Sequence, residues 1–449
     1  MSQTTQPAPR LRPFVTRSQD FASGADSPSA VLEECLREIA AREGRVGAFT
    51  ALASDAREQA AASEARWRAG RPLSAIDGMP VGVKDIIDTA SLPTGMGSPL
   101  FEGYRPRFDA ASVQALIEAG AVIVGKTVTT EFAGMHPAGT RNPWDTGRTP
   151  GGSSSGSAAA VGGGMLSGAL GTQVVGSILR PAGFCGAYGF KPSVGAINRG
   201  GSLDFLSQSV TGSIAASLED AWTLARAIAG QVGGDPGHPG LDGPPRLPPA
   251  RKPARLGVLR TPGWSRLTHG AREALEAALE QLRRRDVAIV THDTSPPLAR
   301  LEAETAGALD ETLAINAWEW RWPLASFAAR DAGALSPGSR ARLDQARRMT
   351  QADYARQLAR RESARQAHAA LARELDGLVS VTAPGAAPVG LETTGDPVFV
   401  AAGSYLGVPG LSLPLLADGG LPLGLQLLGA HGEDAALASL GAWTEAALG

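Results

Sequence analysis

Residues 150–193 read PGGSSSGSAAAVGGGMLSGALGTQVVGSILRPAGFCGAYGFKPS. The longest uncharged run of the chain, Thr149 to Leu179, is 31 residues long and falls almost wholly within this stretch. Such a length would suit a membrane span. Nine of its residues are Gly, however, with Ser and Thr scattered throughout, which is not the composition of a lipid-facing helix. Buried inside a protein, the run predicts tight turns, close backbone approach and a dry wall without charge.

Upstream, short apolar runs alternate with Gly, Ser and Pro from Gly78 to about Pro192. Val81-Gly82-Val83 and Ala121-Val122-Ile123-Val124 read as buried strands, with Asp109 to Ala119 as the helix between them. This βαβ-like pattern predicts an α/β fold: a mixed, mostly parallel twisted central sheet with helices on both faces. Nearer the N-terminus, Ser27-Pro28 reads as helix cap and first helical position. Val31, Leu32, Cys35, Leu36 and Ile39 then recur at helical spacing, and an Ala-rich helix follows over about 52–70. Residues 1–25 are polar and Pro-containing and read as a loose tail. A single domain is expected over 26–449, interrupted by a Gly/Pro-rich surface excursion at 231–253. Further helices are expected at 217–230, 268–284 and 433–447, and strands at 255–259, 287–290 and 378–381. Long Ala/Arg-rich helices fill about 297–375.

Composition narrows the class. The chain has 449 residues, is 43% hydrophobic and 19% charged, and is therefore globular. A net charge of −2 gives no electrostatic footprint for nucleic acid or an anionic membrane. Two cysteines, Cys35 and Cys185, exclude a disulfide scaffold and a Cys-based zinc site and fit a reducing compartment. The N-terminus lacks the apolar segment of a secretory signal, so a cytoplasmic location is expected. Without HExxH, CxxC or a clustered His/carboxylate set, neither metal nor cofactor is expected.

Two motifs mislead. Gly120-Ala-Val-Ile-Val-Gly125-Lys126-Thr127 matches the phosphate-loop pattern, but its variable positions are themselves a strand, where the loop should be. Gly152-Ser153-Ser154-Ser155-Gly156 matches a nucleophile elbow, but a polar loop precedes it where a strand is required. A third feature is more telling. Against thirty-eight arginines the chain keeps four lysines, three of them (Lys84, Lys126, Lys191) in the Gly/Ser-rich first half. Lysine, unlike arginine, can lose its proton when buried.

The 150–193 stretch resembles the glycine- and serine-rich signature of the amidase signature family. DGMPVGVKDIIDTASLPTGMGS upstream resembles the segment carrying that family's lysine, and EAGAVIVGKTVTTEF resembles another family segment, which accounts for the false phosphate loop. The resemblance is dense over about 72–230 and weaker at GLETTGDPVF and GLPLGLQLLG. It implies a Ser–cis-Ser–Lys triad: Ser177 as nucleophile, Ser153 as the relay serine after a cis peptide bond, and Lys84 as base. A serine hydroxyl is a poor nucleophile until a base takes its proton. Burial can bring a lysine down by about 3 units or more from its ordinary value, into the neutral range where it can act as that base. The oxyanion would be held by backbone N–H groups among Val174, Val175, Gly176 and Ser177.

Three departures from the pattern bear on the site. Where the family commonly reads GTDTGGSIR, this chain has Gln173 for the Asp, Val175 for a Gly, and Leu179 for the Arg, with Arg180 one position later. Both partners of an expected ion pair are thus absent together. Val175 suits the oxyanion loop only if its φ is negative. Ser154, Ser155 and Gln173 are expected to hydrogen-bond around the triad. Met135, His136 and the Trp318-Glu-Trp320-Arg-Trp322 cluster are expected at a substrate pocket for bulky apolar or aromatic amides, carbamates, anilides or esters. The expected partner is a small-molecule amide or carbamate, bound by a monomer or homodimer. Two other readings stand beside this one: the glutamine-hydrolysing subunit of an amidotransferase, and a non-catalytic amide-binding protein.

Overall fold

The computed structural model describes residues 8–449; residues 1–7 of the expected tail lie outside the described residues. Eleven strands form one sheet: β1 Phe49–Leu52, β2 Pro80–Lys84, β3 Val122–Thr127, β4 Gly168–Gln173, β5 Tyr188–Lys191, β6 Val210–Ala215, β7 Arg255–Val258, β8 Ala288–Val290, β9 Gly377–Val381, β10 Gly410–Asp418 and β11 Leu421–Leu428. Their order is β1-β3-β2-β4-β6-β5-β10-β11-β9-β7-β8. The expected βαβ unit is present, with β2 and β3 parallel and helix Ala111–Glu118 between them. Every residue of β2, β3, β4 and β6 is buried, as in strands covered on both faces.

The sheet is mixed, but antiparallel pairs outnumber parallel ones. Parallel pairing is confined to β3-β2-β4 and β9-β7-β8. The centre, from β4 through β6, β5, β10 and β11 to β9, is antiparallel throughout. The cause is local. β10 and β11 are joined by Gly419-Gly420, both at positive φ (60° and 80°), the backbone a two-residue hairpin turn requires.

Residues 8–25 are not a loose tail. Phe14, Val15 and Phe21 are buried. The amides of Phe14 and Val15 donate to the Asp220 carboxylate at 3.0 and 2.8 Å. Helix Pro28–Val46 then starts as expected, with Ser27 accepting from the Ala30 amide at 3.1 Å. The excursion over 233–254 contains neither strand nor helix. Five helices, Pro296–Thr305, Ala308–Glu319, Arg321–Asp331, Pro337–Arg348 and Gln351–Leu371, occupy the predicted helical region. Among the described residues, no helix is long and apolar enough to cross a membrane.

Candidate active site

Lys84 is the last residue of β2 and is fully buried. Its Nζ lies 2.8 Å from Ser153 Oγ and 2.7 Å from Thr172 Oγ1. Burial lowers the amine from its ordinary value to about 7, and the nearby Asp204 carboxylate opposes that shift. At neutral pH a substantial fraction of the amine is therefore unprotonated and able to accept a proton.

Ser153 follows a cis Gly152–Ser153 peptide, at the place the family resemblance puts one. Arg180 holds the Gly152 carbonyl through Nη2 at 2.9 Å and the Thr394 carbonyl through Nε at 2.9 Å. Ser154 ties the two serine loops together. Its amide donates to the Ser177 carbonyl at 3.3 Å, and its hydroxyl bridges the Thr172 backbone, accepting from the amide and donating to the carbonyl at 3.3 Å each. Ser155 donates to the Val128 carbonyl at 3.3 Å and opens helix Ser155–Gly162.

Ser177 lies in the turn between β4 and helix Leu179–Cys185. It shares with Ser153, Thr172 and Asp204 a small, tightly lined cavity. Among the described residues no hydrogen bond joins Ser153 to Ser177; such bonds often tighten only when substrate is bound. Gln173 replaces the expected ion pair with a neutral clamp. Its Oε1 accepts from the amides of Ile178 and Leu179 at 2.8 and 3.0 Å. Its Nε2 donates to Ser404 Oγ at 2.9 Å, and that hydroxyl donates to the Val175 carbonyl at 2.8 Å. Val175 is not among the residues at positive φ, so the β-branched side chain is accommodated. The amides of Val174, Val175, Gly176 and Ser177 donate to no acceptor among the described residues. They form a run of unspent donors beside the Ser177 hydroxyl.

The expected pocket residues divide. Trp320 is buried and lines the cavity. Trp318 lies outside it, stacked on Tyr354 with centroids 5.6 Å apart and with Arg321 over its ring. Trp322 is exposed and lines a neighbouring groove. Met135 and His136 are exposed and do not line the cavity. Among the lining residues that sequence reasoning passed over, four are polar or charged: Thr172, Asp204, Ser209 and Arg342. Thr172 lies inside the signature, five residues before Ser177, and could have been found there. Asp204 and Arg342 arrive from distant loops and helices and carry no local signal. Lys126 is absorbed structurally, donating to the Ile87 carbonyl at 2.8 Å and Thr94 Oγ1 at 2.6 Å and pairing with Asp85 at 3.2 Å.

Comparison with known proteins gives the family and the fold. The Amidase family model matches residues 30–438, and the chain belongs to that family, the amidase signature hydrolases. It is 35% identical to a glutamyl-tRNA(Gln) amidotransferase subunit of Anaeromyxobacter sp. (strain K), over 93% of this chain and 92% of that one. Among solved structures, a crystal structure of an amidase is 31% identical with a TM-score of 0.83, covering 97% of this chain and 100% of that one. The native peptide amidase of Stenotrophomonas maltophilia is 26% identical with a TM-score of 0.78, covering 97% and 96%.

Proposed function

We propose that this protein is a serine hydrolase that cleaves the C–N bond of small amides through an acyl-enzyme on Ser177. One observation carries the reading: a buried lysine amine, brought to about 7, is bonded to Ser153 in the cavity that Ser177 shares. In the cycle, neutral Lys84 takes a proton from Ser153 as Ser153 takes one from Ser177. The freed Ser177 Oγ bonds to the carbonyl carbon, and the oxygen of that carbonyl gains negative charge beside the unspent amides of 174–177. The proton returns through Ser153 to the leaving nitrogen, the C–N bond breaks, and the amine departs. Water repeats the attack on the acyl-enzyme and releases the acid.

The lining side chains leave little open space at Ser177, which favours a compact acyl group over the bulky aromatic one expected from the Trp cluster. Arg342 lines the cavity beside the Glu131 carboxylate and makes no hydrogen bond to any described residue, so its N–H donors suit an acceptor on the acyl portion. Anilides and esters present the same carbonyl with another leaving group, and carbamates present it with an alkoxy group on the acyl carbon.

A second reading is supported by the relatives named as glutamyl-tRNA(Gln) amidotransferase subunits. Glutamine is itself a small amide with a carboxylate, so on this reading the chain would release ammonia from it for a partner protein. The test is phosphonate labelling with peptide mapping, followed by an amide panel that includes glutamine. An adduct on Ser177 that forms far more slowly in Lys84→Ala supports the hydrolase. Modification of Ser154, or none, rejects it. Turnover confined to glutamine, and accelerated by a co-purifying chain, favours the second reading.

A further inference from the structure

Next to the serine cavity, separated by a shared wall, lies a second and larger groove of about 330 Å³. Leu203 lines both spaces, and Phe327 of the groove stacks on Phe132 of the cavity with centroids 4.9 Å apart. Three of the exposed aromatic side chains converge on this groove: Tyr104 (41% exposed), Phe205 (47%) and Trp322 (77%). Clustered exposed aromatics commonly mark a binding surface.

The groove also has a carboxylate in its lining. Asp88 and Ser202 line it; Asp88 Oδ1 and Ser202 Oγ are themselves buried with no hydrogen-bond partner, and Thr94 and Lys126 lie beside the Asp88 carboxylate. Orphaned buried polar atoms of this kind call for an explanation. Lys126 is the cation facing Asp88, and it also faces Asp85 and Asp109. Arg330 lies over Phe101, with its Nη2 donating to the Leu100 carbonyl at 3.0 Å. A carboxylate acceptor beside aromatic faces is the combination that recognises an organic cation, through charge and through the ring quadrupoles. A neutral apolar ligand would leave the carboxylate in the groove lining without a counter-charge from the ligand, and an anion would be repelled by it.

We propose that this groove binds an apolar organic ammonium, with Asp88 as its counter-charge and Tyr104, Phe205 and Trp322 around its apolar body. Amines are what amide hydrolysis releases, so the ligand class matches the leaving-group side of the reaction. Binding itself needs no turnover, and the proposal therefore stands or falls apart from the hydrolase reading.

The test is calorimetric titration of the whole protein with 2-phenylethylammonium and with its neutral isostere 2-phenylethanol. The ammonium is expected to bind at least tenfold more tightly. Asp88→Asn should bring the two affinities together, and Trp322→Ala should weaken ammonium binding at least fivefold. Because the Trp322 side chain is exposed, that variant reports even if Asp88→Asn folds poorly. Protein already modified at Ser177 by a phosphonate should bind the ammonium as before. Equal affinity for the two probes, a charge preference that survives Asp88→Asn, unchanged binding in Trp322→Ala, or loss of binding on blocking Ser177 would each overturn the proposal.

Discussion

Burying an amine lowers its affinity for protons because the charged form loses its hydration. Lys84 therefore acquires its function at the expense of stability. In the unfolded chain it titrates at its ordinary 10.5, and in the folded chain at about 7. Between those values the unfolded chain binds a proton that the folded chain does not, so stability rises with pH across the window. The penalty is absent above 10.5 and complete below 7, where it amounts to at most roughly 5 kcal/mol. Two outcomes are expected. Hydrolysis should rise with pH through about 7 and then level off, and Lys84→Ala should lower kcat/KM by roughly 10²–10⁴-fold. In urea melts, Lys84→Met should be more stable than the parent at pH 7, with the gap closing towards pH 10.5. Lys191 is buried and also brought to about 7, but it lies outside the serine cavity. Lys191→Met should show the same stability gain while keeping activity; a loss of stability in both variants at pH 7 would reject the argument. The scarcity of lysine was legible in the sequence, but which lysine meets a serine became visible only through the family resemblance.

At the scale of elements, the turn from β4 into helix Leu179–Cys185 is held without an ion pair. Gln173 and Ser404 secure it from both sides, and Val400 packs where a Cβ on Gly176 would fall. Gln173→Ala would strand the buried amides of Ile178 and Leu179, each unmet donor costing about 1–3 kcal/mol. The urea midpoint and kcat should fall together, with KM little changed. Gln173→Glu keeps the acceptor for those amides but places a carboxylate where Nε2 had donated, so its stability should fall as pH rises. A Gln173→Ala variant with parental kcat would show that the clamp does not position Ser177. Elements with a clear period were legible in the sequence, among them helices 28–46 and 269–284 and strands β2 and β3. The glycine-rich strands β4, β5 and β6 were not. Their glycines serve close approach: a Cβ at Gly171 would stand 3.0 Å from Ser154 Oγ. They therefore erase the apolar alternation that marks a strand. The β10–β11 hairpin carried a signal in Gly419-Gly420 between two apolar runs, and that signal went unused.

At the scale of the whole molecule, the chain closes on itself through segments distant in sequence. Asp204 and Arg342 reach the serine cavity from opposite halves of the chain, which no local pattern encodes. The N-terminal segment follows the same logic. Its polar composition suggested a tail, yet three large apolar side chains in it are buried. Phe14 packs edge-on against Phe21 at 5.3 Å, and Phe21 against Trp67 at 5.5 Å. Arg12 and Arg17 tie the segment to helix Pro28–Val46 through Glu34 and Glu38, but partly exposed ion pairs of this kind contribute only about 0–1 kcal/mol each. The aromatic anchors should therefore dominate. Phe14→Ala is expected to cost about 3–5 kcal/mol in urea unfolding, whereas Arg12→Ala, which loses two such pairs and a hydrogen bond to the Gly164 carbonyl, should cost about 2 kcal/mol or less. Neither residue lines the serine cavity, so kcat and KM of the folded protein should be unchanged in both. If Phe14→Ala is neutral, the segment merely rests on the domain; if it lowers kcat without lowering stability, the segment acts on the site rather than on the fold.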